Sequence, residues 1–98
     1  MPILMTIEQI KTAVCEAFGI EESELFEKTR SKKLAYPRYA FNILVKEHLN
    51  MGIMELAMLF SKKHSTIIYA LDRHNELKTC NLRYKINFKK AENKLKNL

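Results

Sequence analysis

The sequence predicts an all-α fold, a compact bundle of five to six helices that contains a helix-turn-helix. Three observations carry this expectation. The 98 residues include only two glycines and two prolines, too few for the tight hairpins of an antiparallel sheet. Apolar residues recur at steps of three and four over most of the chain, the period of a helix with one buried face. The length suits one core, and no linker, repeat or low-complexity tract divides it, so residues 1–98 are read as a single domain.

The first helix is read from "TIEQIKTAVCEAFGI". Thr6 and Gln9 stand at capping-box spacing, and Ile7, Ile10, Val14, Ala17 and Phe18 form one stripe. Gly19 is the expected left-handed stop. "EESELF" is long enough for one short turn, anchored by Leu25 and Phe26, and "EKTRSKK" has no apolar periodicity and is expected to be an ordered loop. "LAYPRYAFNILVKEHLNMG" is the long helix, with Leu34, Ala40, Phe41, Ile43 and Leu44 inward and Gly52 at its end. Pro37 is expected in its first turn, where a missing N–H costs nothing. "IMELAMLF" reads as a short helix with Leu56, Leu59 and Phe60 inward. After a break at "SKKH", "STIIYALDRHNEL" is helical again, with Ile67 or Ile68, Leu71 and Leu77 inward. Tyr84, Phe88, Ala91, Leu95 and Leu98 then step by four and three along a last helix whose outer face is rich in lysine.

Charge narrows the partner. Seventeen Lys and Arg against eleven Asp and Glu give +6, which suits a polyanion, most often a nucleic acid. The acids concentrate between Glu8 and Glu27, whereas Lys28, Arg30, Lys32, Lys33 and Arg38 follow one another with no acid among them. A second basic group runs from Arg83 to Lys96. Other classes find no support. No apolar run approaches the ~18 residues of a membrane span, and the start "MPILMTIEQIK" lacks the basic region and cleavage site of a signal peptide. Cys15 and Cys80 have no metal-type spacing and read as free thiols of a cytoplasmic protein. His48, His64, His74 and the two cysteines form no nucleophile–base–orienter pattern, so no enzyme, metal or cofactor is expected. His74 is read as a partly buried, satisfied histidine rather than a ligand, since one histidine does not make a site.

Two helices joined by a short turn, the second with a polar start, are the mark of a helix-turn-helix, here at about residues 53–77. First-turn residues of the second helix meet base edges in the major groove, so they must carry hydrogen-bonding groups, with basic flanks for phosphates. Lys62, Lys63, His64, Ser65 and Thr66 occupy that place. The residues alone leave one alternative open: Ser65 or Thr66 caps the helix and the lysines are solvated.

The segments "RSKKLAYPRYAFNILVKE" and "IMELAMLFSKKHSTIIYALDRH" resemble the C-terminal DNA-binding domain of the bacterial replication initiator DnaA. That family has a basic loop ending in Arg-Ser, a Pro-Arg pair opening a long helix that ends in Lys-Glu, and a second helix-turn-helix helix that begins Asp-His-Ser/Thr-Thr. The resemblance runs from about Thr6 to the end of the chain and implies a Trp-repressor-like fold that binds double-stranded DNA. It places Arg30 in the minor groove, and His64, Ser65 and Thr66 at base edges, with Lys63 beside them. It places Arg38 and Lys46 on phosphates, where Lys62, Lys32, Lys33 and Tyr39 are expected to join them. Lys63 departs from the family, which has an acid there: a carboxylate accepts from cytosine and an ammonium does not, so the preferred site is expected to differ. The turn from Phe60 to His64 is also one residue shorter. The implied role is replication initiation or its regulation, with other replication proteins as further partners and a nucleoid-associated location. A protein-interaction module, docking through the stripe from Tyr84 to Leu98, or a small transcription regulator is the alternative. The residues contain no glycine-rich phosphate loop, so ATP binding is not expected, and the start Met1-Pro2 favours a free-standing relative over a fragment.

Overall fold

Left-handed residues and reciprocal caps decide where the helices of this chain stop and start. A computed structural model describes residues 7–25, 32–59 and 62–96. Among them the chain forms α1 (Ile7–Phe18), α2 (Glu22–Leu25), α3 (Lys32–His48), α4 (Ile53–Leu59), α5 (His64–Cys80) and α6 (Leu82–Lys96), with no strand. Thr6, Phe26, Phe60 and Leu98, expected at a cap or in the core, lie outside the described residues. After α1 the Ile20 N–H returns to the Cys15 carbonyl at 3.0 Å, around Gly19 at φ 69°, as the sequence predicts. After α3 the Met51 N–H closes on the Lys46 carbonyl at 3.0 Å, around Asn50 at φ 52°. Asn50 therefore ends the long helix, not Gly52; asparagine tolerates the left-handed region better than most side chains. Gly52 instead opens α4: its carbonyl accepts from the Leu56 N–H at 3.1 Å, and its N–H donates to Glu55 Oε1 at 3.1 Å.

The long helix begins earlier than expected. Lys32 and Lys33, assigned to a loop from the sequence, are its first two residues, so Pro37 lies beyond the first turn. A proline there forfeits only the ladder bond to the carbonyl four residues back, Lys33, near the helix end. Pro37 is also fully buried, and that apolar burial offsets the lost bond. In α4, Leu56 is inaccessible and Ala57 buried, whereas Leu59, expected inward, is 43% exposed. The Leu56–Ala57 pair turns the buried side of this short helix away from Leu59.

One core joins the elements. Ile10 and Val14 of α1, Leu44 and Val45 of α3, Leu56, Ile67 and Tyr84 are essentially inaccessible. Tyr84, Phe88, Ala91 and Leu95 of α6 are buried at the spacing the sequence gives them. Ile67 rather than Ile68 faces inward on α5. His74 is buried with them, its Nδ1 2.6 Å from the Tyr84 hydroxyl and its ring 4.5 Å from that of Phe88. Burial pushes the His74 pKa down to about 4 and that of the Tyr84 hydroxyl up. Both groups stay neutral, and the phenol can donate to the imidazole. The expectation of a satisfied histidine holds, but the side chain is buried rather than partly buried. Helix α1 packs on α2, α3 and α6, while α4 packs on α3 and α5 and touches neither α1 nor α6 among the described residues. Helix α6 also packs on α5 and α3, so it is α4 alone that stands apart from α1 and α6.

Candidate nucleic-acid interface

The polar cluster at the start of α5 is held by backbone alone. Lys63 is the N-cap, extended at φ −73° and ψ 148°, and its side chain makes no capping hydrogen bond. Its carbonyl accepts from the N–H groups of Thr66 (3.0 Å) and Ile67 (3.3 Å). His64 is therefore the first helical residue, not part of the break before it, and Ser65 and Thr66 fall inside the first turn. A capping hydroxyl must stand at the extended residue before the helix, so neither one is the cap. The alternative that these residues merely start the helix fails for the hydroxyls. Behind them, the Lys62 N–H returns to the Ala57 carbonyl at 2.9 Å and closes α4.

The result is a contiguous exposed group: Lys62, Lys63, His64, Ser65 and Thr66 are all accessible. The positive end of the α5 dipole adds to the two ammonium groups at the same place, which concentrates positive potential there. Ile68 (38% exposed), Tyr69 (57%) and Asp72 continue the outward face of α5, opposite the buried Ile67, Ala70, His74 and Leu77. From the sequence, Ile68 is one of two candidates for the core and Tyr69 matches the family pattern, but none of the three is assigned to the DNA contact. The signal was present, because Ser65, Ile68, Tyr69 and Asp72 follow the helical three- and four-residue step.

Helix α3 meets this face through an aromatic pair. Tyr39 and Tyr69 stack edge-on, centroids 6.2 Å apart at 75°. Burial, and next the Tyr69 hydroxyl, raise the Tyr39 pKa, while Arg73 opposes them. Arg73 is itself ion-paired to Glu76. Arg38 has an internal role that the sequence did not reveal: its Nε donates to the Leu25 carbonyl at 2.7 Å and its Nη2 to the Glu24 carbonyl at 3.3 Å. A half-buried guanidinium thus ties the end of α2 to α3. Lys46 is half-buried in the last turn of α3. Lys32 and Lys33 occupy the first turn of that helix, and Arg30 lies outside the described residues. The structure therefore brings residues 62–66 together and links Tyr39 to α5.

Among the described residues no cluster of His, Cys, Asp or Glu could hold a metal ion, and no helix is long and apolar enough to cross a membrane. Cys15 is buried and Cys80 exposed, both as free thiols. Desolvation, and next Glu22, push the Cys15 thiol up to about 11.

The family model of the bacterial DnaA protein helix-turn-helix matches residues 7–73. The chain belongs to that family. The DnaA match ends at Arg73, inside α5, so it is shorter than the likeness to the end of the chain that the sequence suggested; α6 lies beyond it. Among the relatives, the chromosomal replication initiator protein DnaA 1 of Protochlamydia amoebophila is 38% identical over 66 residues, which are 67% of this chain and 15% of that protein. The chromosomal replication initiator protein DnaA of Pseudothermotoga lettingae is 24% identical over 70 residues, 71% of this chain and 16% of that protein. The matched region thus spans about one-sixth of the length of these DnaA relatives.

Proposed function

We propose that this domain binds double-stranded DNA with sequence preference and serves replication initiation or its regulation. The first turn of α5 enters the major groove, His64, Ser65 and Thr66 meet base edges, and Lys63 sits beside them. Arg30 reaches into the minor groove, where negative potential concentrates. Lys62, Lys46, Lys32, Lys33, Arg38 and Tyr39 hold the backbone. The observation that carries this reading is the first turn of α5, which has no side-chain cap: its hydroxyls and imidazole are exposed and have no hydrogen-bond partner among the described residues. Membership of the DnaA helix-turn-helix family supports it. The rival docking role loses its surface, because Tyr84, Phe88, Ala91 and Leu95 are spent in the core.

Selection from a random duplex pool, followed by sequencing, tests the reading. One enriched motif is expected, without the cytosine preference that an acid at position 63 would give. An unenriched pool contradicts sequence preference, and an empty one contradicts DNA binding.

A further inference from the structure

Helix α6 carries nearly all of the net charge of the molecule. Arg83, Lys85, Lys89, Lys90, Lys94 and Lys96 are six of the seventeen basic residues, and Glu92 is one of the eleven acids, which leaves +5 of the formal +6 on this helix. All six basic side chains are exposed. Lys94 is paired with Glu16 at 3.3 Å; no other basic group of α6 has an ion pair among the described residues. The inward side of the helix is fully committed to the core through Tyr84, Phe88, Ala91 and Leu95. So the lysines form an outward face, not a seam between elements. Among the described residues, helix α6 packs on α1, α3 and α5 but not on α4, the other helix of the reading corner. Its second half lies along α1, where Lys94 and Leu95 border a groove with Glu8, Gln9 and Glu16. Neither α1 nor α6 touches α4. The family match also stops before α6.

We infer that the outer face of α6 is a second, sequence-independent contact for the phosphate backbone of duplex DNA, so that one domain can hold two duplex segments. The inference rests on the reading of α5 as the primary DNA contact. A row of exposed cations of which only Lys94 is ion-paired among the described residues fits a dense, regular polyanion: duplex DNA carries about one charge per 1.7 Å of axis, and lysines four residues apart rise by about 6 Å along a helix. Polar groups that read no bases fit phosphate contacts. A membrane surface fits less well. Only Leu82 and Ile86 are large exposed apolar residues on α6, both in its first half, whereas an interfacial helix needs an apolar face along its length.

The test uses the whole chain, limiting in amount, on an immobilised duplex carrying the selected site. A second, labelled duplex of unrelated sequence is then offered at low salt, in parallel with vesicles rich in anionic lipid. The wild-type chain is expected to capture the second duplex. The triple variant Lys89→Gln, Lys90→Gln, Lys96→Gln is expected to lose at least tenfold of that capture, with its affinity and salt slope on the first duplex unchanged. Circular dichroism checks that the variant keeps its helix content. No capture by a wild-type chain that holds the first duplex overturns the inference and leaves the α5 reading intact. Capture of vesicles instead of duplex, or bridging that persists in the triple variant, also overturns it. A fall of about 2.7 in the slope on the first duplex overturns it as well, because α6 would then touch the same segment. Failure of the wild-type chain to hold even the first duplex removes both proposals together.

Discussion

His64 and Lys46 are assigned opposite kinds of work, and single substitutions separate them. His64→Ala is expected to cost about 1–3 kcal/mol on the selected site and to relax its specificity. Lys46→Ala is expected to weaken all duplexes alike and to flatten the salt slope by about 0.9; competition titrations with selected and scrambled duplexes measure both, and a sequence-selective loss at Lys46 would reverse the roles. The buried His74 sets a pH dependence of folding. Its pKa is about 4 in the folded chain against about 6.5 unfolded, so the unfolded state binds more protons between these values. Stability is full above about pH 6.5 and falls as the pH drops toward 4, by roughly 3 kcal/mol over the window. Urea titrations from pH 7 to 4 are expected to show that loss, and His74→Leu is expected to shrink it. At this scale the sequence revealed composition but not partners. His74 could be read as partly buried because the family that the chain resembles places an aliphatic residue there. The bonds of Arg38 could not, because they reach carbonyls of another helix that no local pattern connects to it.

Between residues and molecule, the helices were legible where the apolar step was strong and blurred at their ends. The α6 stripe was read correctly because large side chains repeat over several turns. The start of α3 was missed because Lys32 and Lys33 carry no apolar signal and because Pro37 argued for a first turn that lies upstream. Leu59 was misplaced because a short helix samples too few turns to fix which side is buried. Two substitutions test these assignments by chemical denaturation. Leu56→Ala is expected to cost about 2–5 kcal/mol as a core truncation, whereas Leu59→Ala is expected to stay within about 1 kcal/mol, since exposed positions contribute little; equal costs would return Leu59 to the core. Gly19 is in the left-handed region at φ 69°, and a Cβ there would meet nothing within 4 Å. Gly19→Ala is therefore expected to cost only the backbone penalty of about 1–2 kcal/mol, with no change in helix content.

For the whole molecule, the bundle and its helix-turn-helix followed from periodicity and from the scarcity of glycine and proline. The reading cluster followed from Lys62 to Thr66 standing before an apolar helix. The packing of the charged helix did not, because only the fold shows that α6 lies on α1, α3 and α5 and not on α4. Composition alone credited the +6 to DNA binding in general; the fold exposes +5 of it on the outer face of α6. The central claim is that the α5 corner holds a duplex by backbone and base contacts together. Fluorescence anisotropy of a labelled duplex across a salt series tests it most directly. With about five phosphates held, the logarithm of affinity is expected to fall against the logarithm of salt with a slope near −4.5, and no binding at low salt would contradict the account.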